Sequence, residues 1–265
     1  MASEALKQAM AELAASGDAP ELGAPLPPSR LGTQDHWNQV YEREVQMFKE
    51  IGDEGEVWFG EDAAQDMVDW AEQHFPQLDG RILDVGTGNG QLLFALSAAG
   101  YTALTGIDYS PLSIELARAI LAARVASSAA DDDEEHAGVA SPPPAFHTAD
   151  ILDVALGRPV EHVTPSENEP WGLVTDKGTY DAVCLSDERR EGRTLQELYI
   201  VSIARLLRAG GLFLITSCNW TQAELEKAFV TPETGLKLHS VVPRASFQFG
   251  GSTGSSITTV AFEKQ

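Results

Sequence analysis

Two cysteines, Cys184 and Cys218, are all that the 265 residues hold. Two thiols cannot build a disulfide framework or a cysteine-based metal cluster. Both lie in apolar, strand-like runs and read as small buried hydrophobes, and free thiols suit a reducing cytosol. The six histidines show no paired spacing of the H-x-x-x-H kind, so no metal is expected. Basic residues are scarce too: 18 against 40 acids, a net charge of −22. A nucleic-acid surface needs clustered Lys and Arg to displace counterions, and this chain has few. The balance suits a basic protein partner, although acidity also serves plain solubility. Uninterrupted apolar runs of the roughly 18 residues that span a membrane are missing. Met1–Leu13 has no basic start followed by an apolar run, so no secretory signal is expected. The expectation is a cytoplasmic monomer, off the membrane, with 43% hydrophobic residues to bury a core. Its length suits one α/β domain with decorations, or at most two small domains.

Met1–Ser29 is rich in Ala, Pro and Gly and reads as a disordered tail, with order beginning near Leu31. From residue 30 to 265 a single domain is expected. Asp35–Glu50 and Glu61–His74 carry helical apolar periods. Arg81–Gly86 reads as a strand closed by glycine, Gln91–Ala99 as a helix stopped at Gly100, and Ala103–Asp108 as the next strand. Pro111 opens a helix to about Val125. This alternation predicts a parallel sheet with right-handed crossovers. Ala126–Pro144, with Asp131–Glu135 and Pro142–Pro144, loses all apolar periodicity and reads as a disordered acidic insertion. Phe146–Ala149 resumes as a strand ending at Asp150. Trp171–Thr175 is the expected fourth strand, with Tyr180–Leu185 competing for that place. Thr194–Arg208 is helical, Gly210-Gly211 turns into a buried strand Leu212–Ser217, and Thr221–Phe229 is helical. Lys237–Val242 and Ile257–Phe262 alternate as two antiparallel final strands.

The chemistry concentrates in Asp84-Val85-Gly86-Thr87-Gly88-Asn89-Gly90, between a strand and a helix. Glycine lets the backbone turn sharply and lie against a ligand with no Cβ in the way. The helix N-terminus that follows presents free N–H groups and a partial positive charge. Dinucleotide sites use G-x-G-x-x-G. Here the spacing is G-x-G-x-G, with an acid two residues before the first glycine, and it resembles the fingerprint for S-adenosylmethionine (SAM). Asp108 ends the next strand, 18 residues beyond Gly90, where a carboxylate can accept from both ribose hydroxyls. Tyr109 offers a face for adenine. Asp150 and Ile151, after the third strand, fit the adenine amine and ring.

With those parts in place, the chain resembles the eukaryotic seven-stranded lysine methyltransferases that modify translation elongation factor one-alpha. The matching blocks are Leu31-Gly32-Thr33, Trp37 with Tyr41-Glu42-Arg43-Glu44, Gly55–Gly60 including Trp58 and Phe59, Ile82–Gly90, Gly106–Pro111, Asp176-Lys177-Gly178-Thr179, Leu214–Thr221, and Phe247–Gly251. The glycine loop marks only the superfamily; the Trp-Phe-Gly, Asp-Lys-Gly-Thr and Ser-Cys-Asn-Trp-Thr blocks discriminate more. The tail and acidic insertion depart from the pattern where length variation is tolerated.

The resemblance implies a Rossmann-like α/β sheet of seven strands, mostly parallel with an antiparallel last strand, and methyl transfer to a lysine nitrogen. Asp176, Asn219 and Trp220 are the candidate catalytic residues, forming with Phe247–Gly251 a rim for a basic protein substrate, elongation factor one-alpha. Asp176 would orient the amine or accept from the methionine end of SAM, or else serves as a turn or cap residue; Asn219 and Trp220 alternatively serve as core, and Phe247–Gly251 as a plain hairpin loop. Lys177 reads as solvated. Trp37, Trp58, Tyr41 and Phe59 cover the cofactor, wall a lysine channel or fill the core, with Trp37 and Trp58 assigned to the cofactor. A small-molecule methyltransferase and a non-catalytic SAM-binding scaffold stay open at this point.

Overall fold

The computed structural model of the chain describes residues 25–130, 142–164, 171–243, 247–249, 252–254 and 257–265. Most of the expected tail (1–24) and the acidic run Asp131–Glu135 lie outside the described residues. In chain order the first half holds α1 (Gln34–Ile51), α2 (Glu61–His74), β1 (Ile82–Val85), α3 (Gln91–Ala98), β2 (Leu104–Asp108), α4 (Pro111–Ala130) and β3 (Ala145–Thr148). The second half holds α5 (Leu152–Ala155), β4 (Trp171–Lys177), α6 (Thr179–Cys184), α7 (Leu195–Leu206), β5 (Leu207–Ser217), α8 (Gln222–Phe229), β6 (Leu236–Val241) and β7 (Thr258–Lys264).

The seven strands form one sheet in the order β3-β2-β1-β4-β5-β7-β6. β3, β2, β1, β4 and β5 pair in parallel. β7 runs antiparallel between β5 and β6. Residues alternate between two cores, as strand geometry requires. Leu83 and Val85 of β1, Val174 of β4 and Phe213 and Ile215 of β5 join one cluster, with Leu198 of α7 and Phe229 of α8. Ile82, Leu173, Leu212 and Leu214 join the other, with Met67 and Trp70 of α2, Leu93 of α3 and Ile120 of α4. Chain order reverses at β1, whose neighbours are β2 on one side and β4 on the other. In such sheets that reversal opens a crevice at the carboxyl ends of the strands, where ligands bind.

Several boundaries differ from expectation. α4 runs five residues past Val125, because the Ala-rich stretch to Ala130 favours helix over the disorder expected from residue 126. Tyr180–Leu185 is no strand: Thr179–Cys184 forms α6. β5 begins at Leu207 and runs through Gly210-Gly211, with Gly210 at φ 70° where the register shifts against β4. The ordered chain also starts before Leu31, since Leu26 packs against the core and the Ser29 N–H donates to the Leu185 carbonyl at 3.0 Å. α7 and α8 each open on a reciprocal cap, Thr194 with Glu197 and Thr221 with Glu224, worth about 1 kcal/mol each.

Candidate active site

The glycine loop leaves β1 with a positive φ at each glycine: 66° at Gly86, 57° at Gly88 and 83° at Gly90, the N-cap of α3. L side chains resist that region. Space is closed as well, for a Cβ on Gly86 would overlap the Thr179 hydroxyl and one on Gly88 would lie 2.7 Å from the Tyr41 hydroxyl. Thr87, between them, is buried and donates its N–H to the Ile107 carbonyl at 2.9 Å, pinning the loop to β2. The sequence of the loop is therefore dictated by backbone shape, and the shape is a cradle that a Cβ would fill.

Two buried acids flank the cradle. Asp108, at the end of β2, accepts from the Gly88 N–H at 3.2 Å and the Ser110 N–H at 2.9 Å. Burial pushes its carboxyl up to about 6, against those hydrogen bonds. Asp84 of β1 is 3% exposed and accepts from the Thr175 hydroxyl at 2.8 Å. Burial raises it too, with the Thr87 and Thr175 side chains and the Lys177 charge opposing.

An aromatic cover comes from α1 and the loop after it. The ring centroids of Trp37 and Trp58 are 4.9 Å apart, edge to face, and Trp37 stacks on Tyr41 at 6.3 Å. The Trp37 indole N–H donates to the Leu31 carbonyl at 2.7 Å. Asn89 of the glycine loop donates to the Glu54 and Glu56 carbonyls at 2.9 and 3.3 Å, so loop and cover are tied together. Two of the discriminating sequence blocks also meet here. The Lys177 ammonium donates to the Trp58 carbonyl at 2.9 Å. Phe59, a non-glycine residue at φ 65°, lays its ring where a Cβ on Gly178 would come within 2.9 Å. Lys177 is thus not the solvated side chain expected: strand alternation puts it on the face of Asp84 and under Trp58.

Tyr109 follows Asp108 half-buried, and the Gln34 side-chain amide donates to its carbonyl at 3.1 Å. Burial and the Asp108 charge push its phenol well up. Asp150 accepts from the Leu152 N–H at 2.9 Å and pairs with Arg190 at 2.5 Å. An adenine amine would share that carboxylate with Arg190. Ile151 is buried within the core cluster beside Leu152.

The expected rim changes most. Asp176 has no exposed surface, because it points to the α6 and α7 side of the sheet. One oxygen accepts from the Thr179 N–H at 2.7 Å; the other accepts from the Tyr180 N–H at 2.9 Å and from the Tyr199 hydroxyl. Burial and the Asp181 charge raise its carboxyl to about 7. It caps α6 and offers no rim. Trp220 is likewise a correction: 6% exposed, it packs in the core with its ring 6.0 Å from that of Tyr180. Asn219, half-buried, donates its N–H to the Ser217 hydroxyl at 3.2 Å and stays at the strand end. Phe247–Phe249 pairs with Ser252–Gly254 as an antiparallel hairpin, while residues 250 and 251 lie outside the described residues.

Asp181 escaped the sequence reading. It accepts from the Ser217 hydroxyl at 2.6 Å and the Cys218 N–H at 2.9 Å, joining α6 to the end of β5. Burial raises its carboxyl to about 6. The available signal was one acid inside the otherwise apolar turn Tyr180–Cys184. Among the described residues, no three His, Cys, Asp or Glu side chains stand together in a way that would hold a metal ion.

Comparison with known proteins follows the same outline. The family described as "Methyltransferase domain" matches residues 82–134, from β1 to past the end of α4. Over 252 residues the chain is 40% identical to the protein-lysine N-methyltransferase efm4 of Schizosaccharomyces pombe, spanning 90% of this chain and 95% of that protein. It is 36% identical over 237 residues to human EEF1A lysine methyltransferase 2, 89% of this chain and 88% of that one. Among solved structures, magnesium protoporphyrin IX methyltransferase from Synechocystis PCC 6803 with bound SAH shares the fold, with a TM-score of 0.52, 13% identity and coverage of 88% and 97%.

Proposed function

We propose, for a chain that belongs to the family holding EEF1A lysine methyltransferase 2 and the fungal efm4 enzyme, methyl transfer from SAM to a lysine side chain of translation elongation factor one-alpha. The observation that carries this reading is the extent of the likeness. It covers 95% of the S. pombe protein and so runs past the cofactor half into β4–β7, where acceptor contacts arise.

The residues at the cradle fit the cofactor. Asp108 stands where a carboxylate takes the ribose hydroxyls, and Tyr109, Asp150 and Ile151 line the adenine side. Gly86, Thr87, Gly88 and Gly90 let the backbone approach, and Asp84, Trp37 and Trp58 close the methionine side. When bound, SAM supplies an already activated methyl group. The chain's task is then to align an amine for in-line displacement and to receive it neutral. Deprotonating a lysine of pKa about 10.4 near neutral pH costs roughly 4 kcal/mol. A dry, aromatic-walled approach lowers that cost by disfavouring the ammonium. With Asp176 and Trp220 inside the fold, the acceptor surface is left to Asn219, Trp58 and the Phe247–Gly254 hairpin. The acceptor is a basic protein surface matching a net charge of −22, met in the cytoplasm by a monomer that binds neither nucleic acid nor membrane.

The test is mass spectrometry of elongation factor one-alpha, purified from cells lacking this protein and incubated with the recombinant chain and SAM. A methylated lysine is expected. Turnover of SAM on RNA or a small metabolite, with the factor untouched, would overturn the acceptor.

A further inference from the structure

Asp84 and Lys177 share one face of two neighbouring strands. Asp84 is paired in register with Thr175, and Lys177 lies two residues further along β4, so their side chains leave the sheet on the same side. They stand at the carboxyl ends of the strands, next to the cradle at Gly86 and under the Trp58 loop. Asp84 is held by the Thr175 hydroxyl and Lys177 by the Trp58 carbonyl; among the described residues they form no ion pair with each other. A buried acid and a partly buried base kept apart are costly unless something of matching charge lies between them. Each charge suffers from burial, which raises the Asp84 carboxyl and lowers the Lys177 amine, while each favours the charged form of the other. An ammonium has three N–H donors, and Trp58 takes one.

The pair matches one definite chemistry: a zwitterion with adjacent positive and negative ends. The α-amino-acid head of the methionine part of SAM has that form. We propose that Lys177 binds the α-carboxylate of the cofactor, with Asp84 beside it receiving the α-ammonium. This rests on the reading of the cradle as a SAM site and adds a specific partner to it. The same amine holds the Trp58 carbonyl, so Lys177 would tie the aromatic cover to the amino-acid head of the cofactor.

Calorimetry on the full chain tests this with S-adenosylhomocysteine, its decarboxylated analogue and 5′-methylthioadenosine, which lacks the amino-acid head. The wild-type protein should bind S-adenosylhomocysteine roughly tenfold to a hundredfold more tightly than the decarboxylated analogue. Lys177→Met should lose about that factor for S-adenosylhomocysteine while keeping methylthioadenosine within about twofold, and Lys177→Arg should recover part of it. A wild-type protein indifferent to the carboxylate overturns the proposal without any variant. So does a Lys177→Met protein that loses both ligands in parallel, which would make Lys177 only a prop for Trp58. A wild-type protein that binds none of the three overturns the SAM site itself.

Discussion

The phenol of Tyr199 donates a hydrogen bond to the Asp176 carboxylate in a place where neither side chain meets solvent. The bond joins α7 to the end of β4, and it opposes the burial that raises Asp176 from 3.8 to about 7. Asp108 and Asp181 are raised to about 6 for the same reason, burial. Between the ordinary value and the raised one, the folded chain binds more protons than the unfolded chain, so stability falls as pH rises. His36, His74 and His147, which are lowered, act in the opposite sense below about 6.5 but are partly or fully exposed. The comparison should therefore be differential. The Tm advantage of wild type over Asp176→Asn should be greatest below the ordinary value of 3.8, shrink as pH rises from there, and level off above about 7. A difference that grows with pH would contradict the assigned burial.

Trp220 should behave as a core residue. Truncating a buried Trp costs about 3–5 kcal/mol through lost contacts and a residual cavity. Trp220→Ala should show this in chemical denaturation, whereas Trp220→Phe, which keeps a ring against Tyr180, should lose less than half as much. A Trp220→Ala protein of unchanged stability would return the residue to the surface.

Asp108 is the acid proposed to hold the ribose. Its carboxylate already serves two backbone N–H groups, yet it has about four acceptor positions, so capacity for hydroxyls remains. Asp108→Ala should weaken SAM by about 1.5–3 kcal/mol, the range for hydrogen bonds to a charged group. Titration calorimetry on a variant confirmed folded by circular dichroism is the measurement, and equal affinities would remove Asp108 from the site.

If association with a basic acceptor is steered by charge, its rate should fall as salt rises. Screening shortens the field to about 8 Å at physiological ionic strength. Stopped-flow binding of elongation factor one-alpha at 50 and 300 mM salt should differ by about tenfold or more. A rate independent of salt would leave the net charge without a part in recognition.

Much of this was legible from residues. Strong periods gave α1, α2 and β1, and the spacing of three glycines and two acids announced the cradle. The errors share a physical origin. Tyr180–Leu185 is a short apolar run, and period alone cannot separate a buried helix turn from a strand at that length. Asp176 and Lys177 were assigned the wrong surroundings because a one-residue shift in strand phase exchanges the two faces. Nothing local to Lys177 marks a carbonyl 119 residues earlier as its partner, so its sequence context reads as solvated. Leu26 was lost among prolines because a single apolar residue carries no period.

The place of β7 has one more consequence. Because it runs antiparallel, the chain between β6 and β7 begins and ends at the carboxyl edge of the sheet, with Thr258 beside Ser217. The Val242 N–H donates to the Thr259 carbonyl at 3.0 Å, so the two ends of the intervening segment are clasped to each other. Lengthening a clasped loop costs little: doubling it adds only about 0.6 kcal/mol of closure entropy. That stretch can therefore be exchanged, extended or trimmed without repacking β5 or β7. The same fold can thereby be fitted to differently shaped acceptors by changing one insertable piece of chain.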